Sequence, residues 1–121
     1  MSQLNYETTL VQLFFDRVKQ SPDKPALLVK RGGEFQSLTW SEVAEDVRRY
    51  VMALGYFGLT PGDRVIQVSE NRREWIIADL AIMTARAIHV PVHARLTGSQ
   101  IAFQIGHSGA KTVLVSTREQ A

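Results

Sequence analysis

The chain has 121 residues, 45% hydrophobic and 21% charged, which suits one compact domain with its own core. Fourteen Lys and Arg against twelve Asp and Glu leave a net charge of only +2 with no block of like charges, so neither a nucleic-acid-binding arm nor an acidic tail is indicated. The absence of cysteine excludes disulfides, thiol nucleophiles and Cys-ligated metals within this sequence.

The opening MSQLNYETTL has no basic start and no apolar run, so no secretory signal is read there and a cytoplasmic location is expected. Leu10, Val11, Phe14, Phe15 and Val18 share one helical face, and Ser21-Pro22-Asp23 stops that helix. Residues 26–30, ALLVK, read as a strand. Arg31-Gly32-Gly33 is a hairpin turn signal, and residues 34–38 return as the second strand. Thr39 and Glu42 have capping-box spacing, and Leu38 and Val43 stand at the hydrophobic staple positions. The helix that follows carries Trp40, Val43, Val47, Val51 and Leu54 on one stripe, pairs Glu45 with Arg49, and ends near Gly58. Thr60-Pro61-Gly62-Asp63 has the residues of a type II turn.

Beyond that turn, strand and helix alternate. RVIQVS (64–69) is a strand, 70–87 a helix, IHVPV (88–92) a strand, 97–108 a helix with a second capping box (Thr97, Gln100) and staple (Leu96, Ile101), and KTVLVS (111–116) a strand. Such alternation predicts an α/β fold with a parallel βαβαβ layer and right-handed crossovers. Thr117 opens what looks like a further helix. The expected organisation is 1–39 as helix plus β-ribbon and 40–121 as α/β layer, together a partial N-terminal subdomain. A three-stranded parallel layer needs cover on both faces, so self-association or the remainder of a longer protein is expected over the exposed sheet and apolar surface. The most apolar stretch, 75–92, is interrupted by Asp79, Arg86 and His89, so no transmembrane segment is expected.

Ligands of open parallel sheets sit beyond the carboxyl ends of the strands, which puts 69–72, 92–97 and 116–118 under scrutiny. Neither a Walker loop nor G-x-G-x-x-G occurs. Asn71 is read as a helix cap supported by Glu74, with a substrate-facing amide as the alternative. Arg72 and Arg73 oppose the helix dipole mildly and are read as solvated beside Glu70 and Glu74, with a bound anion as the alternative. His89 and His93 are four residues apart along a strand, and His107 is distant. With no third ligand in sight, no metal site is assigned. Ser69 lacks the glycines of a nucleophile elbow. Trp40 and Trp75 are read as core rather than base-stacking platforms. Arg48, Arg49, Arg72, Arg73, Arg86 and Arg95 are interleaved with acids, and no nucleic-acid partner is expected.

LTWSEVAEDVRRYVMAL, LTPGDRVIQVSENRREWIIADLAIM, AIHVPVHARLTGSQIAFQI and SGAKTVLVS resemble, in order and spacing, the N-terminal region of the adenylate-forming enzymes. That superfamily holds the acyl-CoA synthetases, the adenylation domains of peptide synthetases and the luciferases. The wording is most similar to the long-chain fatty acid–CoA ligase branch, and the likeness runs from about Leu10 to the end. For a complete enzyme it implies that a carboxylate attacks the α-phosphate of ATP with Mg²⁺ present, and that coenzyme A then displaces AMP. The phosphate loop, adenine segment, ribose Asp and catalytic Lys of that family fall downstream of Ala121. No catalytic, cofactor-binding or metal residue therefore carries over, and ATP, Mg²⁺ and CoA are implied only for the full-length enzyme. The expected reading is a ligase fragment inactive alone. The alternative is a stand-alone interaction module that self-associates or binds a partner, with peripheral membrane contact as a further partner reading. Arg73, Arg86, His93, Ala94 and Arg95 depart from the residues usual in the family. Arg86, where Gly is usual, raises the question of helix–strand packing at that point.

Overall fold

The computed structural model describes residues 9–69, 72–93 and 95–116. Its elements are α1 (Leu10–Gln20), β1 (Pro25–Arg31), β2 (Glu34–Thr39), α2 (Trp40–Tyr56), β3 (Arg64–Val68), α3 (Arg73–Thr84), β4 (Ile88–Val92), α4 (Gly98–Ser108) and β5 (Thr112–Val115). This is the expected α/β arrangement. Strands β1 and β2 form an antiparallel ribbon, and β3 lies between β4 and β5 in a separate parallel sheet. The expected helix beginning at Thr117 lies outside the described residues, as do Glu70, Asn71 and Ala94.

Local chemistry explains most boundaries. Gly32 and Gly33 have φ of 59° and 84°, so the two-residue loop between Arg31 and Glu34 has the paired positive φ of a type I′ hairpin. Both capping boxes form: the Thr39 hydroxyl accepts from Glu42 N–H at 3.1 Å while the Glu42 carboxylate accepts from Thr39 N–H at 3.2 Å. Thr97 and Gln100 do the same at 3.3 and 2.9 Å. Helix α2 closes on a Schellman motif, with Leu59 N–H donating to Leu54 O, Gly58 N–H donating to Gly55 O, and Gly58 at φ 91°. The turn into β3 is tied by Asp63, whose carboxylate accepts from the Thr60 N–H and hydroxyl at 2.9 and 3.0 Å. Those two bonds stabilise the charged form and hold the Asp63 carboxyl below its ordinary range.

Helix α3 is shorter than the expected 70–87 at both ends. Its N-cap is Arg72, in extended geometry and with no side-chain cap bond, so Glu74 lies one position too early to complete a capping box. At its other end Arg86 takes φ 61°, which breaks the helix before β4. Ala87 N–H donates to Ile82 O and Arg86 N–H to Met83 O, each at 3.0 Å, so Arg86 occupies the left-handed position of a second Schellman motif. What this position asks for is therefore the backbone conformation that glycine normally supplies at a helix C-terminus. Close packing, the expected reason, does not apply, because Arg86 is exposed.

Alternation along β3 divides the core. Val65 faces α1, α2 and α3 in a cluster with Phe14, Val43, Val47, Ile77 and Ile82. Ala26, Leu27 and Leu38 of the ribbon pack on that same cluster, so ribbon and sheet share one core. Ile66 and Val68 face the other way, toward Val92 and the α4 residues Ile101 and Ile105. The second face is thinly covered. Helix α4 has no buried residue, and Ile88, Val113 and Val115 are 48%, 37% and 37% exposed. Pro91 is placed on the edge strand β4, where a missing backbone donor is tolerated.

Candidate functional site

Two concavities meet at the start of α3. The smaller, about 310 Å³, lies past the carboxyl ends of β3 and β5 and is lined by Tyr50, Gln67, Ser69, Arg72, Glu74 and Ser116 among others. This is the position where open parallel sheets bind ligands. Burial raises the Tyr50 phenol above its ordinary range, helped by the charges of Glu74 and Asp46 and opposed by Arg73 and Arg72. Burial also pushes the Glu74 carboxyl upward. Its own backbone N–H, the Arg72 hydrogen bond and the charges of Arg72 and Arg73 outweigh that, and the net shift is downward. Glu74 is therefore ionised at neutral pH, in the first turn of α3 where the helix dipole favours an anion.

The larger concavity, about 730 Å³, runs between residues 27–31 of β1 and residues 72–76 of α3. Here the two arginines separate. Arg72 is exposed, with 46% of its side-chain surface open, and its Nε donates to Glu74 Oε2 at 3.0 Å. Arg73 is only 26% open, and its Nε stands 3.6 Å from Glu74 Oε1, within ion-pair range yet too far for a hydrogen bond. That Nε is buried without a hydrogen-bond partner. Both arginines stand beside Glu74 as read, but only Arg72 is exposed, while Arg73 is half-buried with its Nε out of solvent.

Behind Trp75 lies a polar chain that sequence reasoning did not identify. The Asp79 Oδ1 is 2.7 Å from His89 Nδ1, and His89 Nε2 is 2.8 Å from Gln67 Oε1. Gln67 is buried in β3, the His89 side chain is only 8% open, and the Trp75 ring meets the imidazole edge-on at 5.2 Å. Two arrangements satisfy both contacts: an imidazolium donating twice, or a neutral ring donating to Asp79 and accepting from a Gln67 amide turned to present its NH₂. Either way three polar groups satisfy one another inside an apolar layer, which makes this a structural strut rather than a reactive triad. The signals were Asp79 inside WIIADLAI and Gln67 inside RVIQV, each interrupting an apolar run.

The other histidines stay apart from it. His93 is exposed just past β4, and His107 stacks on Phe103 along the outside of α4 at 5.7 Å. Among the described residues no three His, Asp or Glu side chains converge as a metal site. Trp40 packs beside Phe14 at 6.1 Å, within the core as expected. Asn71, the candidate cap or substrate-facing amide, lies outside the described residues. No described helix is long and apolar enough to cross a membrane.

The sequence matches the AMP-binding enzyme family over residues 14–121. The chain belongs to that family. Long-chain-fatty-acid--CoA ligase FadD15 of Mycobacterium bovis is 28% identical over 109 residues, spanning 90% of this chain and 18% of the ligase. Tyrocidine synthase 3 of Brevibacillus parabrevis is 33% identical over 108 residues, or 89% of this chain and 2% of that protein. The N-terminal subdomain of Klebsiella oxytoca NpsA superposes with a TM-score of 0.81 at 25% identity, covering 90% of this chain and 28% of that one. The chain thus spans less than a third of each of these AMP-binding relatives, and the α/β layer described above is the N-terminal subdomain architecture of adenylation enzymes.

Proposed function

We propose that these residues form the N-terminal scaffold of an ATP-dependent acid–thiol ligase of the long-chain acyl-CoA synthetase type. In that role α1, the ribbon and the α2–α3 layer buttress the sheet, and its strand ends face the reaction. ATP, Mg²⁺ and CoA belong to the complete enzyme, and within the 121 residues no group is assigned to adenylation. The carrying observation is a negative one joined to a positive one. The best-built polar cluster, Asp79–His89–Gln67, is spent on itself inside the layer, while the SENRREWIIADLAIM segment that contributes Asp79 is also the segment most like the long-chain branch. The test is ATP–pyrophosphate exchange with long-chain fatty acids on the isolated chain. Exchange at background is expected, and robust exchange would refute the scaffold reading.

A second reading follows from the α4 face. Ile88, Val113 and Val115 are exposed beside a helix that buries nothing completely. As a stand-alone module the chain would cover this face by self-association. Multi-angle light scattering over a concentration series checks it: a monomer throughout, with no binding of an apolar dye, rules the module reading out.

A further inference from the structure

The end of the molecule opposite the carboxyl ends of the strands carries a surface that the scaffold role does not use. The three most exposed large apolar side chains among the described residues are Tyr56, Phe57 and Met52, at 86%, 81% and 74%. All three stand in the last turns of α2 or at its cap. Met52 and Tyr56 are one turn apart on one face, and the Tyr56 and Phe57 rings meet edge-on at 5.4 Å. Single exposed apolar residues are ordinary, but an aromatic pair with a methionine one turn away is a patch.

The amino ends of the strands surround this patch with cations. Residues 57–63 carry the chain from α2 into β3, so the patch lies where β3 starts. Register sets Arg64 beside Ile88 of β4 and Val65 beside Thr112 of β5, which brings Arg86 and Lys111 to the same end. Gly62 N–H donating to Arg86 O at 2.9 Å and Ile88 N–H donating to Asp63 O at 2.8 Å tie the connections together. Arg64, Arg86 and Lys111 are exposed, and none forms an ion pair among the described residues. The one carboxylate of segments 56–64, 85–88 and 109–112 is Asp63, and it is turned back onto the Thr60 N–H and hydroxyl. Arg86 keeps its charge at a left-handed position that glycine would fill without strain. Strain held at an exposed, unpaired side chain is a pointer to use.

We propose that this rim docks on an anionic lipid bilayer, with Tyr56, Phe57 and Met52 entering the boundary between headgroups and acyl chains and Arg64, Arg86 and Lys111 lying against the lipid phosphates. Aromatic side chains favour that boundary, and Lys and Arg are drawn to the negative surface. A bilayer fits the rim better than an acidic polypeptide does. Neither concavity described above includes Tyr56, Phe57, Arg64, Arg86 or Lys111, and a Cβ added at Gly58 or Gly62 would meet nothing within 4 Å, so the surface protrudes and offers no groove to a chain. In a longer protein a parallel sheet grows at its edges, is covered on its faces and takes ligands at its carboxyl ends. The amino-end rim is the surface that such growth leaves open. Docking of this kind holds or fails separately from the ligase reading.

The sequence has no cysteine, so Phe57→Cys gives a single labelling point for an environment-sensitive fluorophore, with Glu34→Cys at the exposed ribbon turn as reference. The intact polypeptide carrying these residues is titrated with mixed phosphatidylglycerol–phosphatidylcholine vesicles. Pure phosphatidylcholine vesicles, polyglutamate and a DNA duplex are the comparison arms. On the mixed vesicles the label at 57 is expected to shift to the blue and lose quenching by iodide, the label at 34 to stay unchanged, and added salt to weaken the response. In vesicle co-sedimentation Arg86→Gly is expected to weaken binding about fivefold and Arg86→Gly/Lys111→Gln about twenty-five-fold, at about 1 kcal/mol for each cation. Tyr56→Ser/Phe57→Ser is expected to weaken it at least about tenfold, with far-UV circular dichroism native throughout. The proposal is overturned if pure phosphatidylcholine binds as well, if the label at 34 responds like the label at 57, or if the natively folded variants bind like the parent. It is equally overturned if polyglutamate or the duplex shields residue 57 as the bilayer does, or if light scattering traces the shielding to self-association. Shielding of residue 57 from iodide before any vesicle is added would also overturn it, because the rest of the protein would then cover the rim.

Discussion

Replacing Arg86 with Gly is expected to stabilise the protein. Arg86 holds φ 61° at the C′ position of α3, and the Schellman bonds from Ala87 to Ile82 and from Arg86 to Met83 require that conformation. Its carbonyl also accepts from Gly62 N–H at 2.9 Å, which ties the end of α3 to the turn entering β3. The side chain is exposed and forms no ion pair among the described residues, so removing it sacrifices little. A residue with a Cβ in the left-handed region is disfavoured by about 1–2 kcal/mol. Glycine recovers this but gives the unfolded chain extra freedom worth about 0.4–1 kcal/mol. The net is a gain of about 0.5–1 kcal/mol, or a rise in Tm of about 2–5 °C for a domain of this size. Urea denaturation followed by circular dichroism measures it, with Arg86→Ala as the control that deletes the side chain and keeps the Cβ. The expected order is Gly above Arg and Ala, with m unchanged. Equal stability of the Gly and Ala variants would refute the backbone argument and assign the effect to the side chain.

Three further outcomes follow from the same structure. His89→Ala leaves Gln67 and Asp79 without their shared partner in a layer closed by Trp75, and is expected to cost about 2–4 kcal/mol in urea unfolding; a loss below about 0.5 kcal/mol would mean that water replaces the ring at no penalty. Asp63 and Glu74 both have folded pKa values below their ordinary 3.8 and 4.5. Their stabilisation is therefore complete above those values and is lost as pH falls through the lower folded ones, so Asp63→Asn/Glu74→Gln should lose less stability than the parent between about pH 6 and about pH 3; parallel pH profiles would contradict the shifts. Thr39→Ala and Thr97→Ala each remove a capping box at a cost of about 1 kcal/mol, but with different readouts. The α2 cap sits over buried Val43 and Val47 and should lower the global midpoint, whereas α4 has no buried residue and should lose local hydrogen-exchange protection first; identical global losses would show α4 to be more tightly coupled than its burial indicates.

How much of this was legible in the sequence depends on how local the cause is. The ribbon turn, the two capping boxes and the Thr60–Asp63 turn each rest on residues adjacent along the chain, and each is found where its pattern placed it. The ends of α3 were not. Its start depended on Arg72 holding the extended geometry of an N-cap. Its stop depended on an arginine accepting a conformation that glycine normally supplies, which a pattern search scores as continued helix. In both cases the surrounding layer decided the outcome. Trp75 must reach the His89 ring, and Ala87 must turn back to bond Ile82 before β4 can join β3.

The Asp79–His89–Gln67 chain shows why the candidate site was the least legible part. Its members come from α3, β4 and β3, ten and twenty-two residues apart at the two contacts, and no spacing rule links them. What the sequence did display was a cost, since a carboxylate, an imidazole and an amide each fell inside an otherwise apolar run. Burying any one alone is expensive, by about 1–3 kcal/mol for an unsatisfied neutral group and more for a charge. Three such interruptions in one βαβ unit therefore imply that they meet, and the parallel register of β3 with β4 puts His89 beside Val65 on the face that also carries Gln67. The same reasoning separates the two arginines at the head of α3. Arg72 has its acceptor in Glu74 and open solvent beside it. Arg73 has a buried Nε and no acceptor at hydrogen-bond distance.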